Sequence, residues 1–230
     1  KIGSVLFLII ASLAFLFTVQ SAAVKTCRKL GDVAMANGDS EKALGYYQLA
    51  GPMSDGGIGF ASNPNIDTAM ARIHETKGEF QEAQRLLWRV DAKVGPEERS
   101  TMMLGQLLQY DQQAQMLDSF YSKRLAENDN WELVWEDYVG WLKRDGMYER
   151  AIAASNLAVT RNPLVVRLQI QLALLEIDFG DVQHAISIAT SLTKTHSMDH
   201  TSWKLLARSL DKAGDWIGAG KAMRKAAELQ

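Results

Sequence analysis

The sequence predicts an all-α protein, a solenoid of stacked helical hairpins. Three observations carry that prediction. Glycines recur on a fixed lattice, with Gly78, Gly146, Gly180 and Gly214 spaced by 34 residues or twice that. Small and large apolar residues recur at constant distances from those glycines. The composition favours helix throughout: Ala, Leu, Gln, Glu, Lys and Arg are plentiful, and 230 residues contain only four prolines.

Each element follows from the lattice. Gln112 occupies the point between Gly78 and Gly146, and Gly38 precedes Gly78 by one period plus six residues, which makes six units. Five residues past the glycine stand Ala43, Ala83, Ala151, Ala185 and Ala219; twelve past it stand Ala50, Val90, Ala158, Leu192 and Ala226. Eight before it stand Leu30, Met70, Leu104, Tyr138, Leu172 and Leu206, followed by Gly31, Ala71, Gly105, Val139, Ala173 and Ala207. Small residues let two helices approach closely, and large apolar residues at helical spacing face one side. The glycine ends the first helix without a Cβ clash. The acid after it (Asp39, Glu79, Asp181, Asp215) suits the start of the next helix, where unpaired N–H groups favour a carboxylate.

This pattern resembles the tetratricopeptide repeat family, whose hairpin carries an early Trp and Leu-Gly pair, then Gly, Ala, an aromatic, Ala and a final Pro. Trp135 and Trp203 stand at the Trp position, and Leu30-Gly31 and Leu104-Gly105 at the Leu-Gly pair. Tyr47 matches the later aromatic, and Pro163 the terminal proline. The resemblance covers residues 24–230, with units at about 24–57, 64–97, 98–131, 132–165, 166–199 and 200–230 and a loop insertion at about 51–65. The third unit departs most, with Gln112 for Gly and Leu117 for the small residue.

Ahead of the array, residues 2–19 form a run without charge or proline, long enough as a helix (~1.5 Å per residue) to span a bilayer core. The run is longer than a usual signal core. Residues 1–22 are therefore expected to be an uncleaved transmembrane anchor rather than a signal peptide ending at Ser21-Ala22-Ala23. The expected location is a membrane, the bacterial inner membrane first, with a single N-terminal pass. Lys25, Arg28 and Lys29 after the run favour a cytoplasmic repeat domain over a periplasmic one. The absence of Gly and Pro from Ser4 to Leu30 predicts one helix running from anchor into array. At the other end Lys221, Arg224, Lys225 and Glu228 are expected to solvate the last helix.

The resemblance implies a groove lined by the first helices of the units and used to bind an extended peptide or a partner's helix. The groove positions map to Arg28, Asp32, Arg72, Met102, Gln106, Gln109, Glu136, Lys143, Arg167, Lys204 and Arg208. Of these, Arg28, Arg72, Gln106, Lys143, Arg167, Lys204 and Arg208 are the candidate partner-binding residues. Arg167, Lys204 and Arg208 make the far end basic and suited to acidic segments. Chaperone-tail binders of this family hold a carboxylate with Lys and Asn; Arg28 and Asp32 stand there instead, and Asp32 would repel it.

Chemistry-bearing constellations are few. A net charge of −2 gives no field that would draw in nucleic acid. The single cysteine, Cys27, sits at the Trp position of the first unit and reads as packed core. His196 and His200 flank Asp199 in a link between units, where a metal shell lacks further ligands. Gly56, Gly57 and Gly59 lack phosphate-loop spacing. The loop's Met53 and Phe60 are candidates for contact with a partner or with the membrane surface. Glu97-Glu98 and Glu136-Asp137 read as solvated faces. Trp88, Trp131, Trp135 and Trp141 divide between core and contact patch.

No catalytic residue, metal or cofactor is expected, and the partners are other protein subunits, with residues 2–19 in the membrane. The expected function is a non-catalytic, membrane-anchored scaffold within a membrane assembly, such as a bacterial secretion, pilus or polysaccharide-export machine. The alternative is a receptor whose groove binds extended targeting peptides.

Overall fold

The computed structural model describes the backbone of residues 2–55, 64–110 and 114–230; side chains of residues 2–14, 16, 17, 51–55, 114 and 115 lie outside the description. Among the described residues the chain is all helix: twelve helices and no strand, a tetratricopeptide-like repeat fold. It divides into two compact units, Lys1–Asp111 and Gln112–Gln230.

The first unit holds α1 (Ile2–Ala36), α2 (Ser40–Asp55), α3 (Pro64–Thr76), α4 (Phe80–Val94) and α5 (Glu98–Tyr110). Helices α1 and α2 pair, as do α3 and α4. The turn glycines Gly38 and Gly78 lie at φ +77° and +76°, where a Cβ would be strained. Gly31 is small for another reason: a Cβ there would enter the ring of Tyr47, which lies buried against α1 and donates its hydroxyl to Asp32 at 2.7 Å. Burial first, then that bond, holds the Tyr47 phenol well above its ordinary pKa. Asp67 of α3 is buried and bound by Arg89 of α4, whose Nε donates to Oδ2 at 3.0 Å.

The second unit holds α6 (Ala114–Glu127), α7 (Glu132–Arg144), α8 (Tyr148–Arg161), α9 (Val166–Phe179), α10 (Val182–Thr195), α11 (His200–Lys212) and α12 (Trp216–Glu228). Trp135, Gln169 and Trp203 stand one period apart. Each donates a side-chain N–H to the carbonyl six residues earlier: Asp129 at 2.9 Å, Pro163 at 2.6 Å and Ser197 at 2.8 Å. In the second unit each of the three inter-hairpin links is thus tied by a bond of this kind. Gly180 departs from the other turn glycines, with φ −131°, which any residue adopts. Its missing Cβ leaves room for the buried Glu176, which accepts from Asp181 N at 2.7 Å and meets His184 Nδ1 at 2.9 Å. The acids after the glycines cap unevenly. Asp181 accepts from the N–H groups of Gln183 and His184, and Asp215 from Gly218. Glu79 makes no such bond and instead reaches back to His74.

Two expectations change. The membrane location is corrected: among the described residues no helix is long and apolar enough to cross a membrane. From Thr18 onward α1 carries Lys25, Arg28, Lys29 and Asp32 within two turns. Each of these costs about 3 kcal/mol at a bilayer centre. Most side chains of the apolar run at 2–19 lie outside the described residues. Helix α1 itself is continuous from Ile2 to Ala36. The stretch read as a loop over 51–65 is helical at both ends, because α2 continues to Asp55 and α3 opens with Pro64, whose fixed φ suits a first helical position. Residues 56–63, with Phe60, lie outside the described residues, as does Gln112.

Candidate functional site

In the first unit, α1, α3 and α5 share a cavity of about 390 Å³. From α3 come Asn65, Thr68, Ala69 and Arg72, which recur at helical spacing and so form one stripe. Asp32 and Met35 enter from α1, Arg99 and Ser100 from α5, and Glu97 from the residue before it. Asp32 is already engaged by the Tyr47 hydroxyl and by Arg28, whose Nε lies 3.7 Å away. Arg72 and Arg99 are exposed, and among the described residues neither meets a carboxylate.

The equivalent face of the second unit is different. Arg167 of α9 reaches Glu132 at 2.6 Å and Glu136 at 3.2 Å, both on α7. Arg208 of α11 reaches Asp178 of α9 at 2.6 Å, and Lys143 of α7 approaches the same carboxylate at 3.7 Å. Lys143 also lies 5.6 Å over the ring of Phe179, which stacks on Tyr148. A ladder of ion pairs therefore runs across α7, α9 and α11. A second cavity, of about 590 Å³ among α6, α7 and α8, is bounded by Leu125, Trp135, Tyr138 and Leu157. Its arginines are paired too, Arg150 with Asp118 at 2.5 Å and Arg161 with Asp129 at 3.2 Å.

The sequence-derived candidates therefore separate. Arg72 lines the first cavity and Arg28 holds Asp32 at its edge. Gln106 is half-buried on α5 outside the cavity lining. Lys143, Arg167 and Arg208 are engaged by carboxylates, and Lys204 is exposed on α11. Sequence reasoning missed Arg99, although the lattice could have found it: Arg99 stands two periods before Arg167, at the same position of its unit.

The remaining constellations have structural places. His196 ends α10 beside Thr195 Oγ1 at 2.8 Å, and Asp199 caps α11 by accepting from the N–H groups of Thr201 and Ser202. Among the described residues no group of three His, Cys, Asp or Glu side chains could hold a metal ion. Trp135 and Trp141 are buried, whereas Trp216 is 76% exposed.

No protein-family model matches the chain, and no curated protein matches it in sequence. Solved structures do. The C-terminal part of a tetratricopeptide repeat protein from Cytophaga hutchinsonii is 12% identical, with TM-score 0.67 over 87% of this chain and 78% of that one. A tetratricopeptide repeat protein from Parabacteroides merdae is 16% identical, with TM-score 0.55 over 90% and 78%. The pilF protein of Pseudomonas aeruginosa is 17% identical, with TM-score 0.54 over 73% and 76%. At these identities the likeness is one of fold.

Proposed function

We propose that the chain is a non-catalytic protein-interaction scaffold, and that the α1–α3–α5 face of its first unit takes an extended acidic segment of a partner protein. The observation that carries this reading is the pair of exposed guanidinium groups, Arg72 and Arg99, beside one cavity, neither of them ion-paired to a carboxylate among the described residues. Arginine offers a planar fork of donors that matches a carboxylate, and such charge-assisted bonds are the strong ones. Asp32 bears a charge that opposes an acidic segment; Arg28 offsets it in part at 3.7 Å, while the Tyr47 hydroxyl donates to its other oxygen. Glu97 leaves the site of mixed charge, which favours a peptide offering both acids and backbone N–H groups over a simple polyanion.

The test is fluorescence anisotropy with labelled ten-residue peptides, Glu-rich against Gln-substituted. The Glu-rich peptide should bind, weaken as salt is raised, and lose at least about 100-fold in the Arg72→Glu/Arg99→Glu double variant, from two charge-assisted bonds of ~1.5 kcal/mol each. Equal binding of both peptides, or of wild type and variant, would overturn the reading.

A further inference from the structure

The cavity of about 590 Å³ among α6, α7 and α8, which lies wholly in the second unit, has a cause in the lattice. Eight residues past the turn glycine, or past Gln112, stand Tyr46, Leu86, Phe120 and Ile188 in the first, second, third and fifth units. Leu86 is fully buried, and Ile188 packs against the cluster that holds Ala189 and Leu205. The fourth unit places Ala154 there, half-buried, and Ala153 before it. Both line the cavity, as does Ala126 of α6. The sixth unit's counterpart, Ala222, is buried. Three alanines thus leave open, beside Trp135 and Tyr138 of α7, a space that larger side chains would take up.

The polar groups around this space are engaged. Trp135 Nε1 donates to the Asp129 carbonyl at 2.9 Å, and the Tyr138 hydroxyl donates to Asp118 Oδ1 at 2.9 Å and also meets Ser122. Arg150 faces Asp118 and Arg161 faces Asp129, so two cations stand against two anions and the pairs add no net charge. An ionic ligand would have to displace one of those partners, and an uncharged one would not. What remains of the wall is apolar: Leu125, Leu157, the alanines and the rings of Trp135 and Tyr138. Tyr138 is itself backed by Trp141 at 6.0 Å and Tyr121 at 5.1 Å between ring centroids, which holds the aromatic floor in place. Leu157 is 47% exposed at the mouth. An apolar cavity of roughly 150 Å³ takes one benzene, so a partner's single aromatic side chain would fill only a fraction of this space.

We propose that the α6–α7–α8 cavity binds a small, uncharged aromatic molecule of about two rings. The site does not rest on the Arg72 and Arg99 cavity, which belongs to the first unit.

The experiment uses the full chain and two fluorescent probes with the same rings, neutral N-phenyl-1-naphthylamine and anionic 1-anilinonaphthalene-8-sulfonate, whose emission rises on leaving water. The neutral probe should saturate at one per chain and bind at least about tenfold tighter than the anion, whose sulfonate meets no unpaired cation at the cavity. Ala154→Ile installs the residue type of Ile188 and should cost at least about tenfold in affinity, with the melting temperature unchanged or higher because a cavity is filled. Leu157→Ser, altered at an exposed position, should cost about three- to fivefold. Leu164→Ser/Met198→Ser removes side chains 91% and 77% exposed elsewhere on the second unit and should leave binding unchanged, as should Arg72→Glu/Arg99→Glu. No binding, equal affinity for the two probes, or binding untouched by both Ala154→Ile and Leu157→Ser would overturn the proposal. A loss in Leu164→Ser/Met198→Ser would overturn it in favour of unspecific apolar adsorption. Displacement of the neutral probe by a Trp-containing peptide, but not by the same peptide with Ala in place of Trp, would overturn it in favour of a partner's side chain.

Discussion

The two units carry the same arginines at the same lattice positions and treat them differently. Arg72 and Arg208 both stand six residues before their turn glycine, and Arg99 and Arg167 both stand thirteen before their lattice point. In the second unit Arg208 meets Asp178 on the preceding first helix, and Arg167 meets Glu132 and Glu136. One lattice step before Arg72, the place of Asp178 is taken by Ala36. One step before Arg99, the places of Glu132 and Glu136 are taken by Pro64 and Thr68. The helix scaffold is common to both units, so three substituted positions separate an ion-pair ladder from an open pair of guanidinium groups. A repeat can hold its fold constant while the surface charge of one unit is satisfied within the chain and that of another is not.

The largest effect tests whether the first unit simply lacks carboxylates on its first helices. It does not: Asp67 sits on α3 but is buried and held by Arg89. Arg89→Ala should therefore strand a buried charge and destabilise the protein by about 3 kcal/mol, read as a lower midpoint in urea unfolding. A change below about 0.5 kcal/mol would mean that Asp67 can reach other donors.

A smaller effect would transplant the ladder. Ala36→Asp with Thr68→Glu should give Arg72 and Arg99 internal partners and weaken Glu-rich peptide binding by about five- to tenfold, since exposed pairs are worth ~0.5–1 kcal/mol each. The reverse change in the second unit, Asp178→Ala, should release Arg208 and Lys143. Its stability cost should stay below about 1 kcal/mol, because those groups are half exposed. Isothermal titration with the same peptide should then show a new weak site. If Asp178→Ala gains no acidic-peptide binding, free cations on that face do not suffice and the cavity itself matters.

The smallest effect concerns Tyr47, which ties α2 to Asp32 at the edge of the first cavity. Its folded pKa is raised, by burial and then by the Asp32 bond. The sign follows: its contribution is intact below the unfolded value of about 10 and is lost as pH rises above it. Tyr47→Phe should flatten the loss of stability between about pH 10 and 12, followed by thermal melts monitored by circular dichroism. An unchanged alkaline limb would place the sensitivity elsewhere.

Much of the fold was legible because hairpin packing repeats a chemical requirement. Gly31 must be small because Tyr47 lies on it, and Ala43, Ala83, Ala151 and Ala185 must be small because helices nest there; all four alanines are fully buried. A requirement that recurs every 34 residues writes itself into the sequence. The membrane reading did not survive, since hydropathy was weighed over the apolar run while α1 continues into four charged residues. The candidate site was legible only by half. Arg72 was found from its position, but the ladder that engages Arg167 and Arg208 joins residues 30 to 35 apart on neighbouring helices. No local pattern announces which carboxylate such a side chain meets.

The sequence by itself determined the helical hairpins, their period and the small residues between them, because backbone propensity, turn geometry and close packing act within one repeat. Only the tertiary structure decided which charges are engaged within the chain and why Gly180 is glycine. Those depend on what the next helix brings within a few ångströms, which is set by stacking and not by the residues of any one unit.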